Sequence, residues 1–243
     1  MRTRDDGATP DSVAVIVGVG PALGWALAKR FSHAGMQVII ASRTSQKLKA
    51  LLDEDGLPNI HRQLCDVSVE GDVSTLFQKV EAKWGKPRLV IFNAGAYEPG
   101  TVLDISPKDF ERCWRVGCFG GFLVAQAAAR LMLPSGSGTI VFTGATASLR
   151  GSAGFANLAV AKFGLRALAQ SMARELGPKG IHVAHVIIDG QIESERSRDV
   201  LSKRGPDSLL SPDAIAEAYY DLHRQTRSAW THELDLRPYM EKF

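Results

Sequence analysis

Short apolar runs alternate with helical stripes along most of this chain, and few folds accept that order. Residues 12–17 and 38–41 lack a polar face, as strands buried on both sides of a parallel sheet require. Between them, residues 22–34 carry Leu23, Ala26, Leu27 and Phe31 on one helical face, and Gly35 follows where a helix should stop. The alternation continues with strands near 60–65, 88–92, 139–142 and 181–188, and with helices near 69–84, 107–133 and 154–176. This order predicts an α/β fold with a doubly wound parallel sheet, its right-handed crossovers placing helices on both faces. Residues 12–243 are expected to form one domain, and the polar residues 1–11 a flexible tail without the apolar core of a secretory signal.

After Gly190 the pattern loosens. Residues 191–206 are charged, 212–227 look helical, and 230–243 are mixed, with enough apolar content to predict that this end is docked. Ligands of such sheets sit beyond the carboxyl ends of the strands, so the segment at about 191–212 is expected to form a substrate lid.

Composition excludes more than it selects. Of 243 residues, 45% are hydrophobic and 23% charged, which rules out a disordered or collagen-like chain. A net charge of +3, from 29 basic and 26 acidic residues, makes no demand for nucleic acid or an anionic membrane. Cys65, Cys113 and Cys118 show no paired or metal-ligand spacing, so no metal is expected and the compartment is expected to be a reducing cytoplasm. The apolar stretch 117–129 contains Gln126 and falls well short of the roughly 20 residues of a membrane span, so a soluble protein is expected.

The first strand-to-helix turn is Gly18-Val19-Gly20-Pro21-Ala22-Leu23-Gly24. Glycines there let the backbone approach a pyrophosphate while the helix N-terminus offers unpaired N–H groups, although a plain strand-to-helix turn has the same composition. Cys65-Asp66-Val67 and Phe92-Asn93-Ala94-Gly95 follow two further strands, so three turns converge on one edge.

At these motifs the chain resembles the short-chain dehydrogenase/reductase family, from about Val13 to Ile192. The family's glycine turn, its Asp-Val after strand three and its Asn-Ala-Gly after strand four all have counterparts, with Ala22 in place of the middle glycine. The resemblance implies a Rossmann-type fold and a dinucleotide held by Gly18, Gly20, Leu23, Gly24, Ser42, Arg43, Asp66, Val67, Asn93, Ala94, Gly95, Lys162, Gly190 and Ile192. At the end of strand two, Ser42-Arg43 offers a hydroxyl and a positive charge where an acidic residue would repel a 2′-phosphate, which favours NADP(H) over NAD(H). A solvated arginine at a helix start is the plainer alternative.

Family members transfer hydride with a Tyr-x-x-x-Lys pair, a serine after strand five and an asparagine in the fourth helix. Ungapped placement keeps Lys162 but puts Leu158 at the tyrosine, Ala145 at the serine and Gly117 at the asparagine. The Tyr-x6-Lys variant of the enoyl-reductase branch falls on Phe155. Tyr97 is a candidate proton donor or a pocket-wall aromatic, and Thr143, Thr146, Ser148 and Asn157 are further polar candidates. His182 and His185 read as core histidines before bases, and Asp189, where the family has proline, as a substrate contact or a cap.

Two functions stay open: an NADP(H)-dependent oxidoreductase of altered site, with catalytic Lys162 and Tyr97, or a catalytically silent NADP(H)-binding protein with a structural or regulatory role. The substrate is not legible. Family resemblance implies a homodimer or homotetramer through helices near 107–133 and 154–177.

Overall fold

A computed structural model describes residues 12–44, 49–53, 56–205 and 207–240. The polar residues 1–11 expected to form a tail lie outside that set. Seven strands form one parallel sheet in the order β3-β2-β1-β4-β5-β6-β7: β1 (Val13–Val17), β2 (Gln37–Ser42), β3 (Ile60–Leu64), β4 (Pro87–Phe92), β5 (Gly138–Thr143), β6 (Ile181–Ile188) and β7 (Glu233–Leu236). Every residue of β1 and β6 is buried, which accounts for the unbroken apolar run of β1 and for the largely apolar β6, interrupted by His182 and His185.

Helices among the described residues include α1 (Leu23–His33), α2 (Glu70–Trp84), α3 (Pro107–Trp114), α4 (Gly120–Met132), α5 (Ala156–Leu176), α6 (Arg198–Arg204) and α7 (Pro212–His223). They cover both sheet faces and enclose two cores. One gathers Val15, Val90, Phe92 and Phe142 with residues of α2, α4 and α5; the other gathers Ile16, Ile40 and Ile91 with residues of α1 and α7. The fold is the Rossmann-type, doubly wound sheet that the alternation predicts.

Three differences from the sequence pattern have local causes. The long helix expected over 107–133 is interrupted by a π-turn, Arg115–Phe119, where the wider turn accommodates Gly117 tightly against α5. With its flanking turns this helix, Pro107–Ser135, is long and apolar enough to cross a membrane by length and composition alone. In this fold 56% of its most apolar window is buried, with Val116, Val124, Ala125 and Ala128 in the core. The helix expected over 212–227 stops at His223, whose Nδ1 pairs with Thr139 Oγ1 of β5 at 2.9 Å. The mixed tail supplies β7, which the pattern did not mark because four half-exposed residues on a sheet edge carry little apolar signal.

The tail is fastened by side chains. Arg166 of α5 donates to both carboxylate oxygens of Glu233 at 2.6 and 2.8 Å, and Gln225 holds Thr231 through two hydrogen bonds. The segment 191–212 returns to its own base: Ile192 bridges Leu210, and the Glu193 N–H donates to Leu210 O. Between these ends it forms α6, a short helix that its charged sequence did not signal.

Candidate active site

The carboxyl ends of β1 to β4 open on a crevice of about 490 Å³. Of the residues expected to hold a dinucleotide, Gly18, Gly20, Ser42, Arg43, Val67, Asn93, Ala94 and Gly95 line it. Val19, Ala41, Thr44, Cys65 and Val116 line it as well. Ala41 and Cys65 were legible as strand-end residues. Val116 comes from the π-turn, and nothing in the sequence announced that approach.

Gly18 is the pivot of this edge. Its φ is +90°, and a Cβ there would stand 2.3 Å from the Ala94 nitrogen. The Asn93 side-chain amide donates to Gly18 O at 2.9 Å, so the turns after β1 and β4 are bonded as well as packed. Gly20 faces open space, with nothing within 4 Å of an added Cβ. Gly24 packs against Val19, where a Cβ would meet Cα at 2.7 Å. Leu23 lies in the core, so only its backbone is available to a ligand. No side chain caps α1, and its first turn has no acidic residue, which leaves the positive end of the helix to an external anion. A bare helix end, a close-approach glycine and a crevice of this size fit a dinucleotide pyrophosphate.

At the far wall Arg43 is exposed and Ser42 Oγ donates to Thr44 O at 2.8 Å. Asp66 accepts from the Ser68 N–H and hydroxyl at 2.9 and 2.7 Å. Burial pushes the Asp66 carboxyl up, but these bonds and the charge of Arg43 outweigh it and hold the group below its ordinary range. Asp66 therefore shapes its own turn and sits within the field of Arg43.

The residues expected at the reacting end lie on α5 and in the loops after β5 and β6, outside the lining of that crevice. Lys162 is buried, and its Nζ donates to Thr143 O at 2.6 Å; burial lowers its pKa to about 8. Leu158 lies one helical turn earlier and is half-buried, as is Ala145 at the end of β5. Gly117 packs against Ala161, where a Cβ would approach the Ala161 Cβ to 3.0 Å. A side chain there would require Ala161 to give by a few tenths of an ångström.

Each polar candidate already has a protein partner. The Tyr97 hydroxyl donates to Gly154 O at 3.1 Å while its exposed ring stacks on Phe155 at 4.9 Å. Thr143 Oγ1 is bonded to the buried Tyr219 hydroxyl at 2.9 Å, and Thr146 Oγ1 donates to Asp189 at 2.6 Å. Ser148 Oγ accepts from the Ala145 N–H and pairs with His185 Nε2 at 3.3 Å. The Asn157 amide donates to Glu98 O at 2.8 Å. His182 and His185 are both buried, as core histidines should be, and burial takes His185 down to about 4. His182 accordingly stacks on Trp230 and bonds Thr231 O.

The model of the family described as short chain dehydrogenase matches residues 12–204. The chain belongs to this family. Among solved structures, a short-chain dehydrogenase from Rhodopseudomonas palustris superposes with a TM-score of 0.82 at 39% identity, covering 95% of this chain and 100% of that one. Among sequence relatives, (21S)-21-acetoxyl-apo-melianone synthase SDR of Melia azedarach is 37% identical over 70% of this chain and 64% of its own length. Secoisolariciresinol dehydrogenase of Forsythia intermedia is 32% identical over 70% of this chain and 62% of its own length. The chain thus spans less than two thirds of these plant short-chain dehydrogenases. Membership carries the oxidoreductase fold and a nucleotide-binding architecture, which supports NAD(P)(H) binding in general.

Proposed function

We propose that this short-chain dehydrogenase binds NADP(H) and lacks the hydroxyl relay by which its family protonates a carbonyl. Bound in the crevice, the cofactor supplies or accepts hydride at its nicotinamide. The chain's part is to hold it. Arg43 takes the 2′-phosphate, Ser42 the ribose, and the turns at Gly18, Gly20 and Asn93 the pyrophosphate side. Lys162 lies toward the nicotinamide ribose.

The observation that carries the reading is the reacting end itself. Ungapped placement on the family pattern puts Leu158, Ala145 and Gly117 at the tyrosine, serine and asparagine positions, and the hydroxyls of Tyr97, Thr143, Thr146 and Ser148 are engaged within the protein. We assign Tyr97 to the pocket wall, since its proton is spent on Gly154. Lys162 is then the titratable group left to the site. Loss of a positioned acid forfeits roughly 10²- to 10⁴-fold in rate. A cofactor-bound protein with a structural or regulatory role fits this arrangement better than reduction of ordinary ketones. An oxidoreductase acting on an activated carbonyl or alkene, with Lys162 as proton source, is the second reading; the retained, buried ammonium favours it.

Calorimetric titration tests the cofactor assignment. NADPH is expected to bind more tightly than NADH, and Arg43→Ala to erase most of that preference, on the order of tenfold for a charge-assisted phosphate contact. Equal affinities in the natural chain would remove the NADP(H) assignment, and binding of neither cofactor would remove the reading as a whole.

The assembly is proposed from the same helices. Phe110 and Trp114 of α3, Phe122 of α4, and Val160 and Phe163 of α5 are exposed apolar side chains, more than a free surface ordinarily carries. We assign this face to a second copy of the chain, as a homodimer or homotetramer. Light scattering at micromolar concentration is expected to give at least a dimer, and Phe122→Glu with Phe163→Glu to shift it toward monomer. A monomeric natural chain would contradict the assignment.

A further inference from the structure

Two sequence features have no part in the function proposed above: the aspartate that replaces the family's proline at 189, and the apolar tail after Trp230. In the structure they are one device. Asp189 directly follows β6 and is buried. Its Oδ1 accepts from the Thr146 hydroxyl at 2.6 Å, its Oδ2 pairs with Arg237 at 2.7 Å, and its N–H donates to Leu236 O at 2.8 Å. Arg237 is held in turn by Asp235 at 3.0 Å. The next residue, Pro238, packs so closely on Gly190 that an added Cβ would lie 2.7 Å from its Cδ, and Gly190 has a φ of +152°.

One carboxylate therefore joins three segments. Thr146 follows Ala145 in the loop after β5, Gly190 begins the loop after β6, and Arg237 belongs to the tail. By their place in the family pattern, both loops would border the nicotinamide end of a cofactor held in the crevice. None of these contacts involves Arg43 at the adenosine end, or Gly18 and Asn93 at the pyrophosphate turns.

We propose that Asp189 and Arg237 make the C-terminal segment a strap that sets the two loops at the nicotinamide end of the cofactor site. Arg237 is a positioning residue; it acts through Asp189 and Thr146. A buried pair of this kind adds little net stability over an apolar pair, but loss of one partner leaves an uncompensated charge at the loop base. The inference rests on the reading that a dinucleotide occupies the crevice, and two ligands separate the two claims. NADPH spans both ends of the site, whereas adenosine 2′,5′-bisphosphate lacks the second ribose and the nicotinamide and would occupy the adenosine end alone.

Calorimetric titrations of the natural chain, Arg237→Ala, Arg237→Lys and Asp189→Asn give the test, with thermal unfolding to show that each variant folds. Arg237→Ala is expected to weaken NADPH about tenfold while leaving adenosine 2′,5′-bisphosphate within about twofold. Arg237→Lys, which keeps the charge, is expected to recover most of the loss. Should Arg237→Ala fail to fold, Asp189→Asn is expected to show the same selective weakening, since it removes the ion pair without removing volume. Equal weakening of both ligands, or of neither, in whichever variant folds overturns the strap. A natural chain that binds neither ligand overturns the underlying cofactor reading, and the strap with it.

Discussion

Leu158→Tyr combined with Ala145→Ser is expected to raise NADPH-dependent reduction of a simple ketone by roughly 10²-fold or more over the natural chain. Positions 158 and 162 are one turn apart on α5, so a tyrosine hydroxyl placed there reaches toward the Lys162 ammonium, which would favour its ionised form and lower its pKa. Lys162 is already buried and oriented by Thr143 O, so the helper group need not be built. Serine at 145 returns a donor to the carbonyl. Gly117 is left unchanged, because a Cβ there would approach the Ala161 Cβ to 3.0 Å and require a small shift. Initial rates of NADPH oxidation check the gain. An unchanged rate in a folded, NADPH-binding double variant would show that the missing acid is not what limits the natural chain.

The second large effect is structural. Gly18→Ala is expected to destabilise the fold by about 3–5 kcal/mol and to lower the unfolding temperature by on the order of 10 °C. Its Cβ would press on the backbone of Ala94 at 2.3 to 2.5 Å, where no rotamer change gives relief, and φ of +90° strains any residue with a Cβ. A cost of that size is a large share of the 5–15 kcal/mol that holds a typical domain together. Gly20→Ala is the control, because its Cβ meets open space and the fold should keep its stability. Scanning calorimetry of both variants decides the matter, and a Gly18→Ala protein as stable as the natural chain would refute the account of this turn.

These two positions show why some of the molecule was legible and some was not. Apolar runs and the 3.6-residue stripe specify strands and helices through burial alone, so the parallel sheet and its crossovers follow from residues such as those of β1 and α1. The Gly18 and Asn93 turns were legible because a close backbone approach demands a glycine, and a tight turn marks it. Tyr97, Thr146 and Ser148 were different. Their hydroxyls looked available in the sequence, and only three-dimensional contact reveals that Gly154, Asp189 and His185 take them up. Asp189 stood open as contact or cap for the same reason, since its partner Arg237 is distant in the chain. Val116 reached the crevice through a π-turn that no periodicity predicts.

Single-turnover stopped flow on the natural chain loaded with one equivalent of NADPH, mixed with a panel of ketones and aldehydes, tests most directly whether the site binds cofactor without an acid to use it. Cofactor fluorescence is predicted to report a bound nicotinamide, and its absorbance to persist after mixing. Rapid oxidation of the bound NADPH by an unactivated ketone would contradict the account.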